Sequence, residues 1–312
     1  MSVLKASQDA KRAIKYNRRD NKGNFTVFDI ENSDDIKQIF STEDNPQITI
    51  NSEIIDCSFL PSEFGFVIAF GYEDGTVKFI KENPDKSYTP ISSKIGGSEN
   101  DNGPSFELQA PKFVKNLRIS YFPPELNIGY ISEDMICIFF VDFQISSITL
   151  IPIRRYSAPN TIWFNFTNKY SIWRCTTRYS ERKGKQELTF ENYNLNSFVP
   201  ANTISDLPSF LDIASEKDFI DASISPVQFK GEDKIAVLKS DGENNILACI
   251  IFNSKNIIQI KTEAGIKDPV SIEWSPFGTR IAVFSADQTP TIFIESSATS
   301  DTNSWKPMQV KL

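Results

Sequence analysis

Ile55-Asp56-Cys57-Ser58-Phe59-Leu60-Pro61, followed across Phe64-Gly65 by Glu73-Asp74-Gly75-Thr76-Val77-Lys78-Phe79, decides the fold, because the chain repeats it. A second copy runs Leu117-Arg118-Ile119-Ser120-Tyr121-Phe122-Pro123 and ends Glu133-Asp134-Met135-Ile136-Cys137-Ile138-Phe139. A third runs Val270-Ser271-Ile272-Glu273-Trp274-Ser275-Pro276, passes Phe277-Gly278 and ends Asp287-Gln288-Thr289-Pro290-Thr291-Ile292-Phe293. Each copy is an alternating apolar strand, a Pro turn, an apolar strand, an Asp-led turn and a final alternating strand. One copy would fit any antiparallel sheet. Several in the same order, at a period of roughly 40–60 residues, predict a β-propeller.

Alternation at period two sets Cys57 and Phe59, or Val77 and Phe79, on one face of a strand. A lone four-stranded blade cannot bury both faces, whereas stacked blades each cover the next. Phe59, Val77, Phe79, Ile119, Ile138, Trp274 and Ile292 are therefore expected to be largely buried strand residues. Asp74, Asp134 and Asp287 stand where a short carboxylate can accept from nearby backbone N–H groups at a tight turn.

Working outward, Phe25-Thr26-Val27-Phe28 reads as the closing strand of a first, degenerate blade. The second blade spans about 52–82 and the third about 112–143; strand-like runs at 161–166, 171–175 and 187–193 make a fourth. Residues 219–252 make a fifth and 257–294 a sixth. A short helix is expected within 205–218. The loop from Ser92 to Pro104 is rich in Ser, Gly, Asn and Asp but lacks the Lys-Ser/Thr ending of a phosphate loop and the regular oxygen spacing of a calcium loop. The whole of 1–312 is read as one domain of six blades, with a polar N-terminal arm at 1–20 and a C-terminal tail at 296–312. Five basic residues between Lys11 and Arg19 fit a nuclear-import signal, a nucleic-acid contact, or a solvated strand or arm. Four more lie between Arg178 and Lys185, at a hairpin tip.

Composition narrows the chemistry. The chain of 312 residues contains no histidine, which removes Ser-His and Cys-His nucleophiles, His metal sites and the commonest general base. No phosphate-binding glycine motif is present, so no catalytic residue, cofactor or metal site is assigned and a binding protein is expected. A net charge of −7 argues against general nucleic-acid affinity, because phosphate binding needs basic surface. Cysteines 57, 137, 175 and 249 show no paired spacing and read as small buried hydrophobes in a reducing compartment. The first twenty residues hold no apolar run, so no signal peptide is read there. Met135 to Ile153 is interrupted by Asp142, Gln144, Ser146 and Ser147, and two strands explain it better than a membrane span.

Phe59-Leu60-Pro61-Ser62-Glu63-Phe64-Gly65, with the apolar strand and Val-x-Phe strand that follow, resembles the small WD-repeat propellers of the nuclear pore outer ring and the COPII vesicle cage. Ile119 to Asn127 and Val270 to Thr279 resemble later repeats of the same family. The chain departs from it in lacking the Gly-His step and the Trp-Asp pair, and Thr161 to Asn194 has no counterpart. The Pro61 to Gly65 turn and the Glu82-Asn83-Pro84-Asp85 step lean towards the nuclear pore relative. The resemblance implies an open six-bladed propeller completed in trans by a blade from a large helical scaffold protein. It also implies other coat or nucleoporin subunits as partners, a place at the nuclear envelope, and membrane association only through those partners. A COPII-type coat, a vacuolar nutrient-signalling complex and an unrelated WD-repeat adaptor are the other readings. The partner is expected to pair with open sheet edges at Phe25, Val27 and Phe28 and at Ile292, Phe293 and Ile294.

Overall fold

The computed structural model describes residues 2–7, 9, 11–17, 22–32, 35–48, 52–95, 114–144, 147–168, 170–197, 199–228, 233–241, 244–251, 256–260, 266, 268–275, 278–285, 291–295 and 305–309. The fold is all-β. Its strands form six antiparallel up-and-down meanders of four, each drawn from one contiguous stretch of chain. The first contains β1 (Ser2–Ala6), β2 (Arg12–Asn17), β3 (Phe25–Asp29) and β4 (Lys37–Ser41). The second contains β5 (Ile54–Phe59), β6 (Val67–Tyr72), β7 (Val77–Glu82) and β8 (Tyr88–Ile95), and the third β9 (Lys115–Phe122), β10 (Glu125–Ser132), β11 (Met135–Phe143) and β12 (Ser147–Ser157). These two merge into one eight-stranded sheet, because β8 and β12 pair in parallel from Ser92 with Ser147 to Ile95 with Leu150.

The fourth meander contains β13 (Thr161–Asn168), β14 (Ser171–Ser180), β15 (Lys185–Asn194) and β16 (Pro200–Ile204). In the fifth are β17 (Phe219–Ile224), β18 (Lys234–Asp241), β19 (Asn244–Ile251) and β20 (Asn256–Ile260). The sixth has β21 (Pro269–Trp274), β22 (Arg280–Ser285), β23 (Thr291–Glu295) and β24 (Trp305–Gln309). The chain divides into two compact units, Met1–Pro159 and Asn160–Leu312, with three meanders in each.

Within each unit the middle meander is covered on both faces. In the first unit, Phe59, Phe70, Tyr72 and Ile80 pack against Ile14, Tyr16, Phe25 and Val27 of the first meander. From the opposite face Val67, Ala69 and Phe79 pack against Leu117, Ile128, Tyr130 and Phe139 of the third. All six residues of β6 are accordingly buried. In the second unit Ile235 and Val237 face Trp163, Trp173 and Phe190, while Ala236 and Leu238 face Ile272, Ile281 and Phe293. Alternation along a strand makes this possible, since odd and even side chains serve different neighbours.

A β-bulge recurs at the start of the first strand. Pairing skips Ile55, Ile162, Ile220 and Val270, all β-branched and apolar, in the second, fourth, fifth and sixth meanders. The third meander has its irregularity at the same end, between Lys115 and Arg118. Bulges bend the strand and re-aim the next side chain, here Asp56, Trp163, Asp221 and Ser271. Gly71 is required in the second meander by close approach, because a Cβ there would lie 2.4 Å from Val114 Cγ1.

The expected burial holds for Phe59, Phe79, Ile138 and Trp274, while Val77, Ile119 and Ile292 are half-buried; all seven lie in strands. Asp74 accepts from the Thr76 N–H at 2.9 Å and the Thr76 hydroxyl at 2.7 Å, as its turn position suggested; Asp287 lies outside the described residues. Residues 205–218 hold two short 3-10 turns, Ser209–Leu211 and Glu216–Asp218. The region from Met135 to Ile153 indeed falls on two strands, β11 and β12.

Boundaries differ more. Residues 1–20, expected as an arm, carry β1 and β2, whose Val3, Ile14 and Tyr16 are in the core. Trp305–Gln309, expected as tail, is β24. Residues 257–260, placed in the sixth repeat, belong to β20, which closes the fifth. β1, β2, β20 and β24 thus bring the first, fifth and sixth meanders to four strands each. Among the described residues no helix is long and apolar enough to cross a membrane.

Candidate partner-binding surface

The six residues expected at open edges lie on interior strands. β3 pairs with β2 on one side and β4 on the other; β23 pairs with β22 and β24. Their backbone groups are committed, so no partner strand can add there. The expectation read Phe25 to Phe28 as the closing strand of the first blade and closed the sixth at Ile294, so β3 and β23 counted as terminal. Phe25, Val27 and Phe293 are core residues, with the Phe25 ring 4.7 Å from Phe70 and 5.6 Å from Phe40. Phe28, Ile292 and Ile294 alternate onto the opposite faces and are half-buried. The prediction therefore brings together two groups with different roles: three residues that hold the fold, and three available on a sheet face.

A carboxylate set inside an apolar strand organises the first strands of the first unit. Asp56, buried, accepts from its own Cys57 N–H at 2.9 Å and from the Leu117 N–H of β9 at 2.8 Å. Lys5 of β1 donates to it, Arg118 Nη1 lies 3.4 Å away, and the Tyr16 hydroxyl reaches it at 3.4 Å. One side chain thus ties β1, β5 and β9 together. Asp221 of β17 repeats the arrangement, accepting from the Ala222 N–H at 2.9 Å and from the Ile272 N–H of β21 at 3.2 Å. The signal was available: Ile55-Asp56-Cys57-Ser58 and Ile220-Asp221-Ala222-Ser223 each set an aspartate inside an apolar strand.

A second polar joint links the first two meanders. Arg12 makes a two-pronged contact with Glu82, at 2.8 Å from both Nε and Nη2, and reaches Asp29 at 3.2 Å. The Tyr88 hydroxyl donates to Glu82 at 2.6 Å, and the guanidinium lies 4.2 Å from the centre of the Phe66 ring. Hydrogen bonding to Glu82 raises the Arg12 pKa, and the Lys86 ammonium, first among several neighbours, holds Asp29 below the usual carboxylate range. Burial pushes the Tyr88 hydroxyl up. Fork geometry of this kind fixes orientation as well as charge.

Cys57, Cys137 and Cys175 are buried free thiols, and burial raises the pKa of the last two. Such thiols pack as apolar groups rather than act as nucleophiles. No group of three or more metal-ligating side chains occurs among the described residues. The sequence matches no family model, and no curated protein aligns with it at a significant level.

Proposed function

We propose that the six meanders are the blades of an open WD-repeat-like β-propeller, and that the protein is a structural scaffold subunit of the nuclear pore outer ring. A large helical nucleoporin supplies a further blade in trans. The observation that carries this reading is topological. Each meander takes its four strands from one contiguous stretch, so among the described residues no strand from one chain terminus completes a meander built at the other. A ring without such a shared strand gains from a partner that covers its end faces. The covered faces carry Phe28 on the first meander and Ile292 and Ile294 on the last. The partner packs on them rather than adding to β3 or β23.

Affinity capture followed by mass spectrometry tests the proposal. Helical nucleoporins should dominate, and co-expression with the captured partner should raise the melting temperature. Phe28→Asp and Ile292→Asp should weaken capture, whereas charges placed at residues 96–104 should not. Recovery of COPII-type coat subunits or vacuolar signalling subunits would move the protein to a relative of the same architecture. Ubiquitin-ligase components would make it a WD-repeat adaptor.

A further inference from the structure

The β14–β15 hairpin of the fourth meander has a chemistry that a scaffold role does not use. Its strands pair in register from Ser171 with Asn194 to Ser180 with Lys185. The turn is closed by the Gly184 N–H donating to the Ser180 carbonyl at 2.9 Å. Gly184 sits at φ +62°, and no heavy atom lies within 4 Å of where its Cβ would be, so the turn opens to solvent. The stem is anchored. Gln186 and Ile213 exchange backbone hydrogen bonds at 2.9 and 3.0 Å, and Lys183 Nζ reaches Glu187 at 2.9 Å and Asp212 at 3.5 Å.

Arg182 and Lys185 lie on the turn side of that anchor and Arg178 just below it, opposite Glu187; all three are exposed and make no ion pair among the described residues, with Glu181 the one exposed anion between them. Tyr179 is 62% exposed, the highest value among the large hydrophobic side chains described. The end of the hairpin thus carries three exposed cations and one exposed amphipathic ring, in a chain whose net charge is −7.

We propose that this tip contacts the anionic phospholipid headgroups of a bilayer directly, rather than only through partners. Arginine and lysine are attracted to a negatively charged leaflet, and tyrosine settles at the headgroup level where its ring is buried and its hydroxyl stays wet. Of the anions beside the tip, Glu187 and Asp212 are paired with Lys183, which leaves Glu181 against three exposed cations. A nucleic-acid strand would instead need a basic groove with successive stacking rings, and the hairpin offers one ring near its turn. This inference does not depend on the scaffold reading.

Flotation with phosphatidylserine-containing vesicles tests it against phosphatidylcholine-only vesicles. The full chain should float with the first and not with the second, and high salt should release it. Each cation removed should weaken binding on the order of five-fold, so R178A/R182A/K185A should lose about a hundred-fold. All three positions are exposed, so the melting temperature of the variant should match the parent. Tyr179→Trp supplies a local readout: its emission should shift to the blue on adding the anionic vesicles, relative to the parent chain under the same conditions. Equal flotation of parent and triple variant, or an unshifted tryptophan, overturns the proposal. So does tighter binding to a single-stranded oligonucleotide than to vesicles through the same three residues, which would make the partner a nucleic acid.

Discussion

Asp56 and Asp221 occupy the same place in the second and fifth meanders, each directly after a bulged isoleucine and each accepting the next residue's N–H at 2.9 Å. Each also reaches the first strand of the following meander, yet the joints differ. At matched positions on that strand the first unit has Arg118, 3.4 Å from Asp56, and the second has Ser271, whose hydroxyl is buried without a hydrogen-bond partner. Lys5 adds a second cation in the first unit. In the second unit Trp274 takes up part of the task, its Nε1 donating to the Ser223 carbonyl at 2.9 Å. The joint in the first unit thus adds cations to the shared carboxylate, and the joint in the second adds an indole donor between the same two meanders.

The sharpest way to break this comparison is to remove both carboxylates. Asp56→Ala strands Lys5 and Arg118 in a largely buried site and should cost about 3–5 kcal/mol. Asp221→Ala leaves the Ile272 and Ala222 N–H groups without that acceptor and should cost about 1–3 kcal/mol. Urea denaturation measures both, and equal losses would show that the cations at Asp56 add nothing. Gly71→Ala sharpens the first joint from another side, since its new methyl would overlap Val114 beside β9. A loss of about 1–3 kcal/mol is expected, largely recovered in the Gly71→Ala/Val114→Ala double variant. Failure of that rescue would assign the cost to the β6 backbone instead.

Trp274→Phe keeps a ring in the core but deletes the donor to Ser223. It should cost about 1 kcal/mol and lower the melting temperature by a few degrees. The smallest effect concerns acid. Asp29 is held below its ordinary range in the folded chain, chiefly by its hydrogen bond from Lys86. Its contribution is therefore complete above the unfolded value of about 4 and fades as pH falls through the lower folded value. Asp29→Asn should lower stability slightly at neutral pH, where the carboxylate's contribution is complete, and the two chains should converge as pH falls below about 4. A pH titration of the melting temperature decides it.

Three strands of most repeats were legible because each has at least one covered face and therefore alternates. The fourth strand is outermost and carries no such pattern. In β16 four of the five residues are exposed and the fifth half-buried, and β12 mixes exposed Ile151 and Ile153 with Arg154 and Arg155. That blind spot also misplaced the partner surface, since Phe25 to Phe28 and Ile292 to Ile294 look terminal only when β4 and β24 are missing.

The sequence by itself determined the all-β class, the repeat, the turn chemistry at Asp74 and most of the buried apolar positions. These follow from alternation and backbone sterics, which act between near neighbours in the chain. Only the tertiary structure decided which strands are interior, which meander is covered on both faces, and how each buried aspartate is met. Those outcomes depend on groups far apart in sequence: Lys5 and Leu117 meet Asp56 across 51 and 61 residues. A buried carboxylate must find its donors wherever packing delivers them, and no local pattern encodes that delivery.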